Sequence, residues 1–208
     1  MTDLLALSPD ELLSTTRAVR KRLDLDRPVA LEVVREALAV ALQAPSGSNS
    51  QGWHWIVLTD AGVKARVAEF YKRSYRAYRE AKPKPATAAQ ERLAASSDYL
   101  CEVMGQVPVL VIGAITVGAA GLPEGNQAGV WGSVLPAAWS LALALRARGL
   151  GTAWTTLHLT YEREVAEVLG LPADVRQGVL LPVAYSKGTE FKPGPRADLD
   201  ATLHVNGW

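Results

Sequence analysis

The sequence predicts an α+β fold: a single domain over residues 1–208, with helices flanking a central sheet of a few strands. Three observations predict it. Short runs at 55–59, 109–115 and 178–185 are apolar and β-branched and are bounded by Gly, Pro and polar residues, as buried strands are. Between them lie longer stretches whose apolar residues recur at helical spacing. No Gly-x-Gly-x-x-Gly follows a strand, and neither a Walker sequence nor His-Glu-x-x-His occurs, so a dinucleotide fold, a P-loop and a zinc hydrolase are all unsupported.

Taken in order, Ser8-Pro9-Asp10-Glu11 starts a helix: Ser8 caps, Pro9 fits the first helical position, and Glu11 completes a capping box. That helix runs toward a basic stretch, residues 15–22. Leu31, Val34, Leu38 and Leu42 mark an amphipathic helix ended by Pro45. After the strand at 55–59, Val63, Val67 and Phe70 open another helix, whose continuation at 71–79 interleaves tyrosines with cations. Residues 82–87, rich in Pro and Lys, break it before a further helix near 90–106. The run 109–115 is apolar throughout, as a strand covered on both faces would be.

A Gly-rich connection at 118–129 leads to residues 131–145, apolar nearly all round and therefore a helix buried on most faces. Arg146 and Arg148 suit its negative pole, and Gly149 suits a left-handed cap. Residues 154–156 read as a strand end, and Thr160 reads as the cap of a helix at 161–169, stopped by Gly170 and Pro172. The strand at 178–185 precedes a Pro, Gly and Lys loop at 187–195 and a short tail.

Composition removes several function classes. Lys and Arg total 22 against 21 Asp and Glu, so no global field favours nucleic acid or an anionic membrane. One cysteine, Cys101, excludes an internal disulfide, and His54, His158 and His204 lack metal-ligand spacing, so no metal is expected. The first residues lack the pattern of a signal peptide, and residues 107–122 are too short and too rich in Gly for a spanning helix. The expectation is a cytoplasmic protein.

The stretch most suited to touching a ligand is 44–55. Gly47 and Gly52 permit unusual backbone geometry there, while Ser46, Ser48, Asn49, Ser50 and Gln51 offer uncharged donors and acceptors that fit a neutral polar heterocycle. Pro45, Ser46, Asn49, Gln51 and Trp53 resemble the Pro-Ser-x-x-Asn-x-Gln-x-Trp segment of the FMN-dependent nitroreductase superfamily, and the resemblance recurs at 16–20, 130–156 and Arg196. It implies a mainly antiparallel sheet and a homodimer formed through the long central helix.

The resemblance also implies an FMN site built from Thr16, Arg17, Ala18, Arg20, Pro45, Ser46, Gly47, Asn49, Gln51, Thr155, Thr156 and Arg196. Thr16 and Ala18 depart from the family's usual Arg and Ser, which leaves Arg17, Arg20 and Arg196 as the principal anion partners. The implied sites are composite, with the arginines from one chain and the 45–51 loop from the other. The implied activity passes hydride from NAD(P)H through flavin N5 to a nitroaromatic, quinone or related acceptor. Reductive dehalogenation, flavin breakdown and non-catalytic FMN binding are the alternatives, because a scaffold does not fix its reaction.

Overall fold

The computed structural model describes residues 2–208. Its helices are α1 (Pro9–Thr15), α2 (Leu31–Ala41), α3 (Ala61–Ala81), α4 (Ala88–Val103), α5 (Ala128–Ala147) and α6 (Glu162–Leu169). Its strands are β1 (Trp53–Leu58), β2 (Val109–Thr116), β3 (Leu150–Thr152) and β4 (Val175–Tyr185). They form one sheet in the order β1-β2-β4-β3, antiparallel throughout.

Helices cover both faces, so successive residues of the inner strands enter different cores. Leu110 and Ile112 of β2 join Leu180 of β4 in a cluster with α3, α4 and α6. Val109 and Val111 join Val179, Leu181 and Val183 in a second cluster with α2 and α5. Double coverage removes the polar alternation of a half-exposed antiparallel strand, which is why β2 is apolar along its length. Gly113 is required at its centre: a Cβ there would meet the Trp55 ring at 3.0 Å and a Val179 methyl at 3.1 Å.

The capping box at Ser8 and Glu11 forms as predicted, with Ser8 N–H donating to the Glu11 carboxylate at 2.8 Å and Glu11 N–H to Ser8 Oγ at 3.2 Å. α5 is longer than its predicted core, and Pro136 lies in its interior rather than its first turn. The helix has the length and apolarity of a membrane span, but it spends that character on packing against α2 and the sheet.

The predicted cap at Thr160 is not formed. A 3₁₀ segment, Leu157–Tyr161, takes in Thr160, and α6 starts at Glu162 without a side-chain cap. Glu162 is instead drawn inward, where its carboxylate accepts from Arg176 Nε at 2.9 Å and from Gln177 N–H at 2.8 Å. Those charge-assisted bonds hold its carboxyl below the ordinary range against the opposing effect of burial.

Candidate functional site

The basic segment after α1 is fixed to the sheet edge by its backbone. Val19 N–H donates to Thr152 O at 2.7 Å, and Ala18 bridges Thr152 in parallel. Further on, Asp24 N–H donates to Tyr185 O at 2.8 Å, and Lys187 N–H donates to Arg22 O at 2.7 Å. The segment approaches β3 closely because residue 151 is glycine: a Cβ on Gly151 would lie 2.7 Å from Cβ of Val19. Gly149 turns the chain out of α5 with φ +77, the left-handed cap that the sequence predicts. Arg17 and Arg20 therefore occupy positions set by main-chain bonds to β3 and β4.

Three guanidiniums then converge on the loop after β4. Arg17 Nη1 donates to Lys192 O at 3.0 Å, Arg22 to the carbonyls of Lys187 and Glu190 at 2.8 and 3.2 Å, and Arg146 to Thr189 O at 2.7 Å. Arg22 and Arg146 also share the Phe191 ring, at 4.3 and 4.8 Å from its centroid. Arg196 joins them: the position of a Cβ on Gly194 is 2.8 Å from Arg196 Nη1 and 3.0 Å from Arg17 Cζ. Among the described residues no ion pair involves Arg17, Arg20 or Arg196, so their charge is balanced by no carboxylate. Adjacent arginines with this geometry suit an anion with several acceptor oxygens, such as a phosphate.

Arg20 lines a cavity of about 300 Å³ with Tyr71, Tyr75, Tyr78, Trp154, Thr155 and Thr156. Thr155 N–H is committed to Leu180 O at 3.1 Å, so what Thr155 offers a ligand is its hydroxyl, itself largely buried beside Tyr71. Burial pushes the Tyr71 phenol up to about 12, and burial with a 2.6 Å bond to Asp98 raises Tyr75 further. Both tyrosines are protonated over the physiological range and act as walls and hydrogen-bond partners, not as bases. Thr16 donates its hydroxyl to Leu12 O at 2.6 Å, and Ala18 contributes backbone alone. The missing Arg and Ser are not replaced in place; Arg22 and Arg146 bring further positive charge to the same loop through its carbonyls at 187, 189 and 190.

The 45–51 loop lies elsewhere. It leads into β1, one edge of the sheet, whereas the arginine segment runs beside β3, the other edge. Gly47 N–H donates to Ser133 Oγ at 3.0 Å, which anchors the loop to α5. Gln51 N–H donates to Ser46 Oγ at 3.2 Å, and its amide to Asn49 Oδ1 at 3.0 Å. Ser48, Asn49 and Gln51 have φ of 52, 53 and 49, so three non-glycine residues hold left-handed backbone within four positions. Such strain is retained where the surroundings or a ligand require it. Pro45, Gly47, Asn49 and Gln51 are exposed, and Ser46 is partly so.

The sequence names Arg20, Thr155 and Thr156 for this cavity but misses Tyr71, Tyr75, Tyr78 and Trp154. The signal was present: the three tyrosines recur at intervals of four and three along α3, one face of a helix. Gly194 and Ser133 carried no local pattern, while Arg22 and Arg146 showed only as part of a basic stretch and as a helix-end cation, with nothing to pair them with the loop after β4.

An antiparallel sheet covered on both faces, arginines along one edge and a strained polar loop at the other place the chain among nitroreductase-like α+β proteins. The chain belongs to the Nitroreductase family, whose sequence profile matches residues 13–185. It is 28% identical to iodotyrosine deiodinase 1 of Rattus norvegicus over 201 residues, 93% of this chain and 67% of that protein. It is 31% identical to 5,6-dimethylbenzimidazole synthase of Rhodospirillum rubrum over 151 residues, 71% of this chain and 68% of that protein. A crystal structure of oxidized iodotyrosine deiodinase bound to FMN and 3-iodo-L-tyrosine superposes with a TM-score of 0.74, covering 95% of this chain and 98% of that one at 26% identity.

Proposed function

We propose that the protein is an FMN-dependent oxidoreductase that passes reducing equivalents from NAD(P)H to a small aromatic or quinonoid acceptor. The observation that carries this reading is the pair of unneutralised guanidiniums, Arg17 from the segment after α1 and Arg196 from the tail, brought together beside Gly194, with the first segment also delivering Arg20 to an aromatic-walled cavity. FMN, when bound, supplies the hydride chemistry, serving the reductant and the acceptor in turn. Arg17 and Arg196 hold its phosphate; Thr155, Thr156 and the polar loop 45–51 serve its uncharged parts. Arg20 brings a fixed positive charge to the cavity, which favours states in which negative charge develops there. Tyr71, Tyr75, Tyr78 and Trp154 give flat acceptors an apolar, stacking environment.

A second copy of the chain completes the site. In one chain the loop and the arginines occupy opposite sheet edges, and the loop's polar groups face outward. Trp139 on α5 is 42% exposed, with Leu135, Pro136 and Leu143 half-buried on the adjoining turns, and Leu199, Leu203, Val205 and Trp208 of the tail are exposed. Those apolar surfaces support association between copies.

Purified protein should be yellow, and anaerobic NADH or NADPH should bleach its flavin absorbance within seconds. A flavin left oxidised by both nucleotides, yet tightly held, would instead indicate a flavin store or sensor. Arg196→Ala should weaken FMN binding by roughly tenfold or more, the effect of removing one charge-assisted partner of a dianion. Unchanged affinity on titration removes Arg196 from the site. The 0.74 superposition on the deiodinase favours one second reading, reductive removal of halide from a halogenated aromatic. Anaerobic release of iodide from 3-iodotyrosine by the reduced protein would identify it.

A further inference from the structure

A second cavity, of about 440 Å³, adjoins the first and shares Arg20, Tyr75, Tyr78 and Ser97 with it. Its remaining wall comes from the end of α3, the 82–85 segment and the start of α4, and includes Arg79, Lys82 and Lys84 but no carboxylate. Arg79 is spoken for, with Nε 3.4 Å from Asp98 Oδ1. Lys82 stands 5.0 Å from the centre of the Tyr78 ring, and among the described residues neither Lys82, Lys84 nor Arg20 has an acidic partner. Pro83 and Pro85 alternate with the two lysines and fix the backbone that carries them, which lowers the entropy lost when an anion is gripped. A recess lined by one sign of charge concentrates ions of the other sign.

We infer that the acceptor site selects flat aromatic molecules bearing an acidic group, their ring among Tyr75, Tyr78 and Trp154 and their carboxylate beside Lys82 and Lys84. The inference rests on the oxidoreductase reading above and names the substrate class of that site. The joined cavities fall in the size range of ordinary small-ligand sites, and they pair an aromatic wall, with Arg20 shared between the two, with lysines at one end only. The same lysines could hold the phosphates of the nicotinamide nucleotide, so the test must separate the two anions.

Holoprotein reduced with dithionite, with no nucleotide present, is mixed anaerobically with 4-nitrobenzoate or with its neutral counterpart 4-nitrobenzamide, and flavin reoxidation is followed. The acid should react with a second-order rate constant higher by about tenfold, the effect of one charge-assisted contact. That ratio should fall to one or below in the Lys82→Glu, Lys84→Glu double variant. Equal rate constants in the wild type, or an unchanged ratio in the double variant, overturn the inference. A double variant impaired only in reduction by NADPH overturns it too, and assigns the lysines to the nucleotide. If neither acceptor reoxidises the flavin, the oxidoreductase reading fails instead. Calorimetric binding of benzoate against benzamide to the oxidised holoprotein then decides selectivity alone, with equal affinities counting against it.

Discussion

Both ring nitrogens of His158 are buried without a hydrogen-bond partner in the protein, two positions beyond Thr156 in the cavity wall. Burial pushes its pKa down from 6.5 to about 4, with Glu162 opposing weakly. The unfolded chain therefore takes up a proton near pH 6.5 that the folded chain refuses until about pH 4. Stability from this group is complete above pH 6.5 and is lost as pH falls toward 4, because the unfolded state binds more protons across that window. The loss should be on the order of 2 kcal/mol between pH 7 and pH 5. Urea unfolding of the wild type and of His158→Leu, measured across that range, isolates it: the wild-type curve should fall and the variant should lack that part of the slope. Parallel curves would mean that His158 is protonated in the folded protein or is not buried in solution.

At the scale of elements, the site depends on how closely the arginine segment lies against β3. Gly151→Ala puts a methyl 2.7 Å from Cβ of Val19, where both partners are backbone-fixed, so the segment must lift from the edge. Overpacking of that kind costs about 1–3 kcal/mol, and because Arg17 and Arg20 ride on the segment, FMN affinity should fall along with the melting temperature. Gly125→Ala, which meets open space, should change neither. A melting temperature that drops while FMN affinity holds would separate the arginines from the edge. The elements legible in the sequence were those with a local cause: the α1 box at Ser8 and Glu11, the Gly149 cap, and β2, whose apolar run follows from burial on both faces. β3 has three residues, too few to show a period, and its register comes from pairing with β4 far along the chain. Thr160 had the chemistry of a cap, but the inward pull on Glu162 from Arg176 and Gln177 moved the helix start. The tyrosines of α3 showed their stripe, yet only packing against α4 and the 154–157 turn makes that stripe a cavity wall. Arginines 17, 20 and 196 became legible as a set only through resemblance, since residues 17 and 196 meet through the fold.

At the scale of the whole molecule, the proposal that two chains build each site makes a prediction no single-chain site can satisfy. Arg17→Glu repels the phosphate, and Asn49→Asp places a charge in a loop suited to an uncharged ring system. Both side chains are exposed, and Asp tolerates the left-handed backbone at 49, so each variant should fold and be inactive. By contrast, a charge at Ala142 of α5 would enter the subunit's own core, where that residue is 4% exposed, and would test folding rather than assembly. The two inactive variants are co-expressed with different tags and the doubly tagged species is purified. If each site takes its arginines from one chain and its 45–51 loop from the other, one site of the mixed dimer collects both lesions and its mate is wild type. Activity should return to about half the wild-type value per dimer, by the symmetry of an isologous pair. If one chain supplies both Arg17 and Asn49 to the same FMN, every site keeps one lesion and no activity returns. The exposed, strained loop at the β1 edge would then need another explanation, and so would its separation from the arginines within the subunit.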